Sequence, residues 1–68
     1  MTDETLTVLT AQKQENGAAY RIAYDGRTMG DDRGFSTLAA CEAEIDNRLA
    51  IDARDAIRYD RPLLYRKG

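Results

Sequence analysis

The 68-residue chain contains no histidine and no tryptophan, and only one cysteine, one proline and one phenylalanine. Each scarcity excludes something. Without histidine there is no imidazole to serve as general base near neutrality, and a serine or cysteine triad of the ordinary kind is ruled out. A lone cysteine cannot close an internal disulfide, and with no histidine beside it there is no zinc ligand set. No apolar run approaches the roughly 18 residues that span a bilayer. The opening Met1-Thr2-Asp3-Glu4 is acidic and lacks the apolar core of a secretory signal. A free cysteine without such a signal predicts a reducing, cytoplasmic setting. Cations are not in excess either. Ten Lys and Arg against twelve Asp and Glu give a formal charge of −2 and a pI near 4.9, so the chain as a whole does not attract nucleic acid or an anionic membrane.

What is present reads as one small folded domain spanning residues 1–68. The hydrophobic fraction is 43% and the charged fraction 32%, the balance of a folded chain rather than a disordered one. A chain this short buries only about 60% of its unfolded surface, which raises the expectation of a partner or of self-association.

The clearest local signal is Ala18-Ala19-Tyr20-Arg21-Ile22-Ala23-Tyr24, flanked by Asn16-Gly17 and Asp25-Gly26. Strict alternation sends Tyr20, Ile22 and Tyr24 to one face, the period of a half-buried strand. Asn-Gly and Asp-Gly both tolerate the positive φ of a type I′ hairpin turn, so this segment reads as the middle strand of an antiparallel meander. Residues 5–14 supply the first strand. A two-residue loop at Asn16-Gly17 puts Ala11 opposite Ile22 and Leu9 opposite Tyr24, on one face with Tyr20. The same register sends Leu6 and Val8 outward, unless a bulge near Leu9 flips the face. Arg27-Thr28-Met29-Gly30 reads as a short third strand with Met29 beside Ile22 on the core side. Gly30-Asp31-Asp32-Arg33-Gly34 has the composition of a loop.

A helix is expected to start near Ser36, capped by Ser36 or Thr37 with Phe35 as a hydrophobic staple just outside. Leu38, Cys41, Ile45 and Leu49 recur at three- and four-residue spacing, and Ala53 and Ile57 extend the stripe. Glu44 and Arg48 form a favourable i,i+4 pair. A straight helix from Thr37 to Tyr59 would be roughly 34 Å long, whereas an eight-residue strand reaches only about 27 Å. This mismatch predicts a break near Ala50 to Asp52, with Asp52 capping a second, shorter helical segment. Pro62 ends it. Residues 62–68 are then a fourth strand or an extended tail. The expected class is α+β: a three-stranded antiparallel meander, with a possible short fourth strand, covered on one face by helix.

Few residues suggest chemistry. Cys41 lies on the apolar stripe, where burial disfavours its thiolate, and reads as a core residue. Asp31-Asp32 lacks the ligand spacing of a calcium loop. No catalytic residue, metal or cofactor is expected, and the chain reads as a non-enzyme. Two surfaces remain. Asp31, Asp32, Glu42, Glu44 and Asp46 form an acidic surface suited to a basic groove on a protein partner. Arg58, Arg61, Tyr65, Arg66 and Lys67, with Tyr59, form the one basic and aromatic cluster and are the alternative, nucleic-acid, contact. A third reading pairs copies through Leu6 and Val8 in a homodimer or larger homo-oligomer.

In size, acidity and absence of catalytic side chains the chain resembles small phage and mobile-element proteins that inhibit host machinery, including anti-CRISPR proteins. The resemblance is carried by this profile and by no motif. It implies a protein-binding inhibitor that docks on a bacterial nucleoprotein complex, with Asp31, Asp32, Glu42, Glu44 and Asp46 occupying a site built for nucleic acid. Such pairing gives fast, salt-sensitive association.

Overall fold

The structure, a computed structural model, describes residues 6–15, 17, 19–30 and 32–68. The expected α+β class is observed: a mixed sheet packed against one long helix. Strand β1 (Thr7–Lys13) and strand β2 (Tyr20–Tyr24) form the central antiparallel pair. Leu9 stands opposite Tyr24, Ala11 opposite Ile22 and Lys13 opposite Tyr20, the register that a two-residue loop at positions 16 and 17 dictates. Gly17 has φ +71°, as a type I′ turn needs, while Asn16 and Ala18 lie outside the described residues. The second turn is complete, with Asp25 at φ 54° and Gly26 at φ 86°. Asp25 also locks onto β1: its amide donates to the Val8 carbonyl (2.9 Å), and the Val8 amide donates to Asp25 Oδ1 (3.0 Å).

Beyond that turn the third strand is split. Strand β3 (Arg27–Thr28) and strand β4 (Gly34–Phe35) both pair antiparallel with β2, but Gly34 rather than Gly30 stands opposite Arg21. Met29, Gly30 and Asp32, between them, leave the ladder and are gathered by Arg21, whose Nη1 donates to their carbonyls at 3.0, 3.1 and 3.3 Å. Met29 is therefore not beside Ile22 in the core; it is 50% exposed, and Phe35 fills the core instead, opposite Tyr20. Phe35 is accordingly a buried strand residue and not a staple outside the helix.

Helix α1 (Leu38–Arg58) is continuous over 21 residues, so the expected break near Ala50 to Asp52 and the second helical segment are both absent. Thr37 is the cap: its hydroxyl accepts from the Ala40 amide at 3.1 Å. The length mismatch is not resolved by a break. At 1.5 Å per residue the 21-residue helix is roughly 31 Å long against about 24 Å for the seven-residue β1, so it outruns the strand before the chain turns back. Asp60, at φ 51°, makes that reversal, and strand β5 (Tyr65–Lys67) then pairs parallel to β1, Thr7 opposite Tyr65 and Leu9 opposite Lys67. The strand order is β3-β2-β1-β5, with β4 also on β2.

The core is Leu9, Ile22, Phe35, Cys41 and Ile45, with Ala11, Tyr20, Tyr24, Leu49 and Tyr65 half-buried around it. Tyr20 and Tyr24 are thus part of the helix-facing packing and not an exposed stacking platform. The pairing of β1 runs without a bulge, so Val8 is on the outer face, where it is half-buried, as is Leu6. A Cβ added at Gly68 would collide with the Val8 and Thr10 side chains, so the end of β5 closes part of that face.

Helical geometry explains why the apolar stripe stops early. At about 100° per residue, Cys41, Ile45 and position 52 lie within roughly 40° of one another, whereas Ala53 and Ile57 have rotated about 120° and 160° from Cys41. Ala53 is exposed and Ile57 is 85% exposed; Leu38, at the first turn, is 45% exposed. The inward position of the second half of α1 is held by Asp52, which is 4% exposed. Ile45→Ala is expected to cost about 2–4 kcal/mol, because the small core cannot collapse onto the cavity, and Ile57→Ala less than about 0.5 kcal/mol. Urea unfolding midpoints of the two variants check the assignment.

Candidate functional site

Asp52 organises the second half of the molecule. One of its oxygens accepts from Arg61 Nη1 at 2.9 Å, and the other accepts from the amides of Leu64 (2.9 Å) and Tyr65 (3.1 Å). Tyr65 opens β5, whose register on β1 continues through the bond from the Thr7 amide to the Leu64 carbonyl (2.9 Å) and ends with that from the Gly68 amide to the Leu9 carbonyl (3.0 Å). The Asp52 carboxylate thus fastens the entry of the last strand to the helix. Burial pushes its carboxyl up, but the Leu64 amide, the Arg61 guanidinium and the Tyr65 amide outweigh that and hold it below the ordinary aspartate range.

A second cluster lies one to two turns earlier on the same flank. Arg48 Nε donates to Glu44 Oε2 at 3.2 Å, and Arg48 also donates to the Tyr24 hydroxyl. That hydroxyl in turn donates to Asp32 Oδ2 at 3.3 Å, while Arg48 Nη2 lies 3.7 Å from Asp32 Oδ1. Burial, with the Asp32 carboxylate beside it, keeps the Tyr24 hydroxyl above the usual phenol range against the pull of Arg48. The ring of Tyr24 meets Tyr65 edge-on, centroids 6.4 Å apart, which connects the two clusters.

Between α1 and the returning segment these clusters border an open groove of about 380 Å³. Glu44, Arg48, Ile51 and Asp55 line it from the helix, Arg61, Leu64 and Tyr65 from the returning chain, and Asp52 lies at the junction. Ile51 and Leu64 are 41% and 47% exposed, and the neighbouring Leu63 is 45% exposed. Ile51, off the core stripe in sequence, finds its place here.

The acidic residues expected to meet a partner are largely occupied within the chain. Asp32 holds Tyr24 and Arg48, Glu44 holds Arg48, and Asp46 accepts from Lys67 Nζ at 3.0 Å, which raises the amine above its usual value. Glu42 is exposed, and Asp31 lies outside the described residues. The basic cluster is likewise divided: Arg61 faces Asp52, Lys67 faces Asp46, Tyr65 packs on the core, and Arg58 lies over the Tyr59 ring at 5.6 Å. Arg66 is exposed. Cys41 is fully buried, and burial, with Glu42 nearby, pushes its thiol up. Among the described residues there is no group of three or more metal-ligating side chains, and no helix is long and apolar enough to cross a membrane.

Comparison with protein-family models, with curated proteins and with solved structures finds no match to this chain.

Because Asp52 is held below its unfolded value, its contribution to stability is full above about pH 4 and is lost as pH falls through the lower folded value. Stability of the wild type is therefore expected to decline on acidification below about pH 4, with a shallower slope in Asp52→Asn. At neutral pH, Asp52→Ala is expected to cost about 2–4 kcal/mol, since two amides and a guanidinium lose their acceptor. Urea unfolding across pH, with hydrogen exchange at Tyr65 to Lys67, measures both effects.

Proposed function

We propose that the chain is a non-enzymatic protein-binding module whose contact surface centres on the groove between α1 and the segment that returns to β5. The observation that carries this reading is the pair of exposed apolar residues that line the groove, Ile51 and Leu64, with Leu63 next in sequence also exposed, beside Glu44, Arg48, Asp52 and Arg61, whose charges are engaged internally. Large exposed apolar side chains gathered at a concave surface and rimmed by polar ones are what protein contact sites present. The non-enzymatic side of the reading is supported by the sequence, which offers no histidine. It is supported equally by the fully buried thiol of Cys41 and by the commitment of Tyr24, Asp32, Arg48 and Asp52 to internal bonds.

The resemblance to small phage-encoded inhibitors of the anti-CRISPR type makes a bacterial nucleoprotein complex the partner class to try first. In this reading such a partner is met by apolar contacts with carboxylates around them, rather than by a field of free carboxylates, because Asp32, Glu44 and Asp46 already face Arg48 and Lys67. Direct binding of nucleic acid is the weaker alternative, since Arg61 and Lys67 are neutralised by Asp52 and Asp46.

Affinity capture from bacterial lysate at low salt is expected to retain a nucleic-acid-processing assembly, to survive nuclease treatment, and to weaken as salt is raised. Capture that vanishes with nuclease, or that yields no such assembly, overturns the reading.

A further inference from the structure

We propose that the groove receives a short apolar segment of a partner protein flanked by basic residues, one apolar side chain seating between Ile51 and Leu64 and an adjacent lysine or arginine reaching Asp55. This deepens the protein-binding reading and rests on it. The groove's volume of about 380 Å³ falls within the range of sites that enclose an organic group. Its lining charges are engaged: Asp52 already accepts three bonds, and Arg48 is taken by Glu44. An apolar side chain can cover Asp52 without stranding an acceptor, since that carboxylate is already out of water, and its burial against Ile51 and Leu64 is then favourable.

The sign of the flanking charge follows from the lining. With the charges paired to the lining included, four carboxylates, Glu44, Asp52, Asp55 and the Asp32 beside Arg48, face three guanidiniums, Arg48, Arg61 and the Arg54 beside Asp55. Asp55, its side chain 29% exposed, is the least firmly paired of the lining carboxylates. Its contact with Arg54 is the longest ion pair among the described residues, 4.0 Å, and the Arg54 side chain is 70% exposed. A cation arriving at Asp55 displaces little, whereas a carboxylate or phosphate there meets net repulsion, which sets specificity against acidic segments.

The test titrates the ¹⁵N-labelled chain with two hexapeptides that share a Leu-Phe centre, one flanked by lysines and one by glutamates. Amide shifts are expected at Arg48, Ile51, Asp55, Leu64 and Tyr65, with the lysine peptide binding about ten-fold more tightly. Asp55→Asn should reduce that preference to about three-fold, and Leu64→Ser should weaken both peptides. Equal binding of the two peptides, or no shifts at millimolar peptide, overturns the proposal. So does the same set of shifts appearing on raising the protein concentration alone, which would seat a second copy in the groove. Lysate capture that survives Ile51→Asp overturns the groove assignment while leaving the protein-binding reading standing.

Discussion

Placing a carboxylate at the centre of a helix's inward face opposes everything the hydrophobic effect favours. A desolvated, unpaired Asp52 would cost several kcal/mol, more than a domain of this size can spare. The fold tolerates it because three donors converge on it: the guanidinium of Arg61 and the amides of Leu64 and Tyr65. All three come from the returning chain, so satisfying the charge and docking the last strand are one event. The reversal at Asp60 and the parallel pairing of β5 bring those donors to the carboxylate, and the groove lies between the helix and the segment that carries them.

The other half of the molecule is governed by hairpin geometry. The turn at Asp25-Gly26 sets the register of β3 on β2, and β1 meets β2 in the register expected from Asn-Gly, with Gly17 at positive φ, so that the face carrying Leu9 and Ile22 is presented to Cys41 and Ile45. Where no tight turn dictates register, after Thr28, the chain departs from the simple ladder. Arg21 collects three carbonyls of the bulge, and β4 resumes pairing four residues later than a regular strand would. The bulge brings Asp32 to Tyr24 and Arg48, which joins the two halves.

Seen from the candidate site, the expected surfaces were composed of the right residue types in the wrong relationships. Carboxylates and cations counted separately along the chain, Asp46 and Lys67 21 residues apart or Asp52 and Arg61 nine apart, turn out to face one another in the fold. One signal was available without coordinates. Projected at about 100° per residue, position 52 falls between Cys41 and Ile45 on the helical wheel, so an unbroken helix required an inward aspartate and hence donors to meet it. The four-residue stripe through Ala53 and Ile57 concealed this, because each such step drifts by roughly 40°.

The amino-acid sequence by itself determined what depends on neighbours along the chain: the alternation of Tyr20 to Tyr24, the two glycine turns and their registers, the cap before Leu38, the Glu44–Arg48 pair and the α+β class. These rest on backbone sterics and on a period that a few residues suffice to express. Only the tertiary structure decided which charges neutralise which, that the helix outruns the strand instead of breaking, that Phe35 displaces Met29 from the core, and that Ile51 and Leu64 line one groove. Those outcomes depend on desolvation and on donors brought together from remote positions, and no local pattern carries that information.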